Sequence, residues 1–150
     1  MIVLIDTNVA LDYFLKREGF AENAKRVFHE IISGDINGCL SSSVVTDLYF
    51  SVSKRQNAHI ARGVVEEVYR YLTILTVSEE TIGEALALPM DDFEDAVQAA
   101  AAQDFGIDIV VTRDKTGFHD STLRVYSPEE FLETLGNVSV NQFINFLNEP

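Results

Sequence analysis

Basic residues are scarce in this chain: 11 Lys and Arg stand against 24 Asp and Glu, a formal net charge of −13. An acidic surface repels phosphates at long range, which counts against a general nucleic-acid binder. It matters less to an enzyme that gathers acids around a bound cation. Cysteine is nearly absent. The single Cys39 excludes an internal disulfide and leaves no thiol cluster for zinc, so it reads as a small buried hydrophobe. No apolar run approaches the ~18 residues of a transmembrane helix. MIVLI stops at Asp6 without the basic start of a signal peptide, so we expect a cytosolic protein that does not engage membranes. Gly-rich phosphate loops are missing. His29, His59 and His119 are scattered, and no Ser/His/Asp or Cys/His arrangement suggests itself.

What is present fits one domain. The chain has 150 residues, 47% of them apolar and 23% charged, enough to bury a real core. Short apolar strands are expected at Ile2 to Ile5, Gly38 to Leu40, Thr73 to Val77, Ile109 to Val111 and Leu123 to Tyr126. Between them lie segments with helical spacing of apolar residues, such as Ala24, Val27, Phe28, Ile31 and Ile32. Ser41, Ser42 and Ser43 offer caps for the helix that follows, and Ser127-Pro128-Glu129-Glu130 is a strong helix start. That last helix is expected to end at Gly136. Strands alternating with helices predict a three-layer α/β/α fold around a central parallel sheet of about five strands. Residues 1–136 form the expected domain. The apolar tail 137–150, with Phe143, Ile144, Phe146 and Leu147, is expected to pack on that domain or on a partner.

The stretch DDFEDAVQAAAAQDFGIDIVVTRD, Asp91 to Asp114, concentrates the chemistry. Asp91, Asp92, Glu94 and Asp95 crowd a helix start. A helix needs one or two acids there, as cap and dipole partner, and the excess carries a repulsion that a cation would relieve. In an open parallel sheet, ligands bind in the crevice beyond the strand ends. Asp95 in a first helical turn, Asp114 just after one strand and Asp6 just after another could share that crevice. Asp47 flanks the apolar stripe of its helix instead of opposing it. Each has a plain alternative: Asp6 as a cap, Asp114 as a turn opener, the acidic run as helix caps. As a set, carboxylates from distant segments suggest a site for a hard divalent cation. Lys16-Arg17 and Lys54-Arg55 each follow a helix expected to begin near the acidic edge, and could supply a local basic strip.

The ordered motifs LIDTN, SSSVVTDLYF, DDFEDAVQAAAA, IVVTRDKTGF and SPEEFL resemble those of the PIN-domain family, up to about Leu135. The likeness is nearest to small bacterial members such as the VapC-like toxins of toxin–antitoxin pairs. It implies Mg²⁺ or Mn²⁺ as cofactor, hydrolysis of RNA, frequent homodimers and, in toxin members, a small antitoxin partner. Carried over by position, Asp6, Asp47 and Asp95 match three metal-binding acids, Thr7 and Asn8 the polar pair after the first, and Thr112 the hydroxyl before the fourth. Asp92 and Glu94 match outer groups. The chain departs at the fourth acid: many relatives carry it just before Phe, where Gly117 stands here. Either Asp114 supplies the fourth carboxylate, or that corner carries none. The second case would leave a PIN fold that binds a partner and cleaves little. A receiver-like signalling domain fits worse, because Ser78 follows the third strand where a phosphoacceptor Asp is needed.

Overall fold

The sheet is built outward from the N-terminal strand. In the computed structural model, which describes residues 1–149 apart from the side chains of 138–140, β1 (Ile2–Ile5) lies at the centre of five parallel strands. β2 (Asn37–Ser41) and β3 (Thr73–Leu75) flank it on one side; β4 (Ile109–Val111) and β5 (Arg124–Tyr126) flank it on the other. Pairing of Leu4 with Cys39 and with Val110 sets the register across the middle. The three central strands are covered on both faces, whereas the edge strands β3 and β5 stay partly open.

Alternation along β1 divides the core. Val3 and Ile5 face one layer with Phe28, Leu48, Val68 and Phe131, whereas Leu4 faces the other with Cys39, Leu75 and Phe118. The first layer comprises α1 (Thr7–Phe14), α2 (Ala21–Ile32), α3 (Ser42–Arg55), α4 (Ala58–Tyr71) and the start of α7 (Pro128–Asn148). The second comprises α5 (Glu79–Ala87) and α6 (Phe93–Asp104). Seven consecutive residues of α6, Ala96 to Ala102, are buried. Alanine there lets the helix lie close on the sheet while α5 packs over its back. Burying a large side chain such as Phe28 is worth about 1.5–3 kcal/mol. Burial also pushes the Cys39 thiol up to about 11, which leaves it inert at neutral pH.

Two expectations are corrected. Ser41 occupies the position before α3, but its hydroxyl pairs with that of Ser43 at 2.8 Å, and Ser42 accepts the Val77 N–H at 3.1 Å. Ser42 ties α3 to the loop after β3, and no serine side chain caps the helix. The last helix also does not end at Gly136, but continues as α7 to Asn148. Glycine costs a helix interior only about 1 kcal/mol, so Gly136 alone does not stop it. Phe143, Phe146 and Leu147 stay exposed along this extension, Phe146 at 70%. No helix among the described residues is long and apolar enough to cross a membrane.

Candidate active site

Parallel pairing brings the ends of β1 and β4 to one edge, and two helices start beside them. Asp6 leaves β1 with extended backbone and caps α1, while Thr112 and Asp114 leave β4. α6 enters the same edge with Asp92 as its cap, the Asp92 carboxylate accepting the Asp95 N–H at 2.9 Å. Asp95 is therefore fixed in the first turn by its own neighbour.

Asp6 is the buried centre, 6% exposed. Its Oδ1 accepts from the Thr7 N–H at 2.7 Å and from Gln98 Nε2 at 3.1 Å. Its Oδ2 accepts from Thr112 Oγ1 at 2.7 Å and from Asn8 Nδ2 at 3.3 Å. A carboxylate offers about four lone-pair positions, so every one is taken and the group cannot rotate. A second shell of bonds holds the donors: Asp114 N–H donates to Thr112 Oγ1 at 3.0 Å, and Arg113 N–H to Asn8 Oδ1 at 3.2 Å. Thr7 contributes its backbone, Asn8 and Thr112 their side chains.

Asp95 and Asp114 meet over Gly117. A methyl group at Gly117 would stand 2.5 Å from Asp95 Oδ2 and 3.2 Å from Asp114 Oδ2. Both carboxylates thus crowd the space a side chain would fill, and a residue larger than glycine would make them shift. Asp114 Oδ1 accepts from Thr116 Oγ1 at 2.8 Å and from the Gly117 N–H at 3.3 Å, where the chain makes a short 3₁₀ turn, Lys115–Phe118. Burial, and then the negative charges of Asp6, Asp92, Asp114 and Glu94, push the Asp95 carboxyl up to about 7. Glu94 and Asp92 are themselves exposed.

Asp47 stands apart. It lies exposed in α3, which starts from the end of β2, and is not among the charges acting on Asp95. Gln98, by contrast, was not foreseen: it is 2% exposed and reaches Asp6 from inside α6. Its signal was a lone amide three residues after Asp95 in an alanine run, a spacing that shares one helix face.

The donor set suits a hard cation, since oxygen ligands and a surplus of negative charge converge. Among the described residues, however, no three acid, histidine or cysteine side chains stand close enough to enclose an ion as they are. Asp6 must release a donor to coordinate one, and the longest of its bonds, from Asn8 Nδ2 at 3.3 Å, is the easiest to give up.

The fold and site define an α/β/α domain with carboxylates gathered at the C-terminal edge of a parallel sheet. A family model described as "PIN domain" matches residues 2–116, and the chain belongs to that family. It is similar to Ribonuclease VapC1 of Aquifex aeolicus, 25% identical over 136 residues that cover 87% of this chain and 93% of the relative. Solved structures share the fold. The VapBC2 complex of Rickettsia felis, bound to a DNA fragment from its promoter, matches with TM-score 0.67 and 16% identity, over 85% of this chain and 98% of that one. VapC20 of Mycobacterium tuberculosis, described as a Sarcin-Ricin loop cleaving toxin, matches with TM-score 0.59 and 16% identity, over 72% and 86% of the two chains.

Proposed function

We propose that this chain is a metal-dependent endoribonuclease that hydrolyses RNA phosphodiester bonds with Mg²⁺ or Mn²⁺, and the toxin of a toxin–antitoxin pair acting in the cytoplasm. The observation that carries this reading is the approach of Asp6, Asp95 and Asp114 at one sheet edge, in a chain similar to a named ribonuclease. Asp6, Asp95 and Asp114 would hold the ion, with Asp47 as an outer ligand. When bound, the ion acidifies a water and offsets charge developing on the phosphate.

The chain's own residues supply the rest. Asp6, still held by Thr7, Gln98 and Thr112 after Asn8 is released, is a rigid anchor for the ion. Asp95, whose carboxyl is raised to about 7 by burial and its acidic neighbours, would be held ionised once a cation joins the site. Thr112 ties Asp6 to the loop that carries Asp114, so the two acids move together. Asp114 then fills the role that relatives give to an acid before Phe. The likeness to VapBC complexes supports a small antitoxin as partner, and a homodimer is proposed on the family likeness. Residues 1–136 are proposed as the working unit, with 137–150 outside it.

The test is cleavage of a mixed structured-RNA pool by purified protein with Mn²⁺, with Mg²⁺ and with chelator. Cutting should require metal and vanish in Asp6→Asn, with the melting temperature of the variant retained. Full cutting in chelator or in the variant would overturn the reading.

A further inference from the structure

A protein with 24 acids and 11 bases that cuts a polyanion needs a local reason for the strand to approach. Ion pairs over most of the surface do not supply one. Lys115 pairs with Glu130, Arg124 with Asp108, Arg62 with Glu66 and Arg70 with Glu67, each one cation to one acid. Arg113, next in the chain to Asp114, is engaged differently. Arg113 and Arg17 both address Asp12, so two cations share one acid.

This cluster is built, not incidental. Asp12 is 1% exposed, on the inner side of α1. Arg113 grips it with Nε at 2.5 Å and a terminal nitrogen at 3.1 Å. That bidentate bond fixes the guanidinium plane. The same guanidinium lies 3.9 Å from the centre of the Phe20 ring. Arg17 approaches Asp12 at 3.5 Å, held by its N–H to Asp12 O at 3.1 Å and by the Phe20 N–H to Arg17 O at 3.1 Å. Lys16 adopts a left-handed backbone, φ 52, and Gly19 φ 84; together they fold this turn back onto α1. Both arginine side chains remain 30% exposed. One buried carboxylate thus orients two half-open guanidiniums and leaves a net positive charge.

Position supplies the ligand class. Arg113 sits between Thr112, bonded to Asp6, and Asp114, whose carboxylate turns away to Thr116 and Gly117. Asp12 lies six residues along α1 from Asp6, about 9 Å at helical rise. That is the reach from a phosphate at the carboxylates to a neighbouring phosphate of the same strand. We propose that Arg113 and Arg17, oriented by Asp12 and Phe20, form a subsite for a backbone phosphate flanking the scissile bond. The subsite rests on the ribonuclease reading and explains how so acidic a chain engages RNA: Arg17 contributes charge, Arg113 charge and placement.

The experiment is binding of a fluorescent single-stranded RNA to full-length wild type, Arg17→Gln and Arg17→Lys, in chelator, across a salt series. Asp12 keeps its bidentate partner in both variants, and thermal melts check that the fold is intact. Arg17→Gln should weaken binding several-fold at low salt and lower the slope of log affinity against log salt by about 0.7, one phosphate's share for a single strand. Arg17→Lys should restore most of that slope. Wild-type binding with an unchanged slope in Arg17→Gln overturns the subsite alone. A wild type that neither binds nor cuts RNA overturns the ribonuclease reading and the subsite with it. Unchanged RNA binding, with loss of an oligoglutamate peptide bound by the wild type, assigns the cluster to an acidic protein partner and also overturns the proposal.

Discussion

Replacing Asp95 by Asn should stabilise the metal-free protein at alkaline pH while removing its response to metal. The Asp95 carboxyl is raised from 3.8 to about 7, first by burial and then by Asp6, Asp92, Asp114 and Glu94. A shift of that size corresponds to about 4 kcal/mol against the ionised form. Solvent around this half-buried group screens the cost to about 1–2 kcal/mol. The sign follows from linkage: between the unfolded and folded values the folded state binds more protons. Stability is therefore free of this penalty below about pH 4 and falls as pH rises towards 8. Asparagine cannot ionise, so the variant should melt about 2–8 °C above wild type at pH 8.5 and close to it at pH 4, both in chelator. Mn²⁺ should raise the wild-type melting temperature at pH 8.5 and leave the variant unmoved. A variant no more stable than wild type at pH 8.5, or equally stabilised at pH 4, would refute the electrostatic account.

Other perturbations address the rest of the edge. Gly117→Ala places a methyl 2.5 Å from Asp95 Oδ2, so Asp95 must shift; RNA cleavage should drop at least tenfold, with a melting temperature within a few degrees of wild type. Thr112→Val removes the 2.7 Å donor to Asp6 in a fully buried position. It should cost about 1–3 kcal/mol in urea unfolding and reduce cleavage, whereas Thr112→Ser should retain most of both.

The layers were readable because each level of the sequence points the same way. Ile2 to Ile5 and Ile109 to Val111 are apolar and covered on both faces, and the intervening helices show one stripe each. The carboxylates were readable because strand ends in a parallel sheet share an edge. What was hidden depends on tertiary detail. Asp12 breaks an apolar helix and could be read only as a flaw until Arg113, a hundred residues on, arrives to pair with it. Gln98 sits among alanines that pack, and only the strand order turns its amide onto Asp6. Gly117 looked like an acid that had been lost; the space beside it is taken by the Asp95 and Asp114 carboxylates. Asp47 was placed by motif; it lies exposed on α3, which starts at the end of β2.

The bond from Thr112 to Asp6 spans 106 residues, and β1 has β4 as one of its two neighbours in the sheet. A ribosome that adds about 5–20 residues per second therefore releases the first acid some 5–20 seconds before the hydroxyl that orients it. Until then the central strand lacks one neighbour and Asp6 lacks the donor that ties it to the loop carrying Asp114.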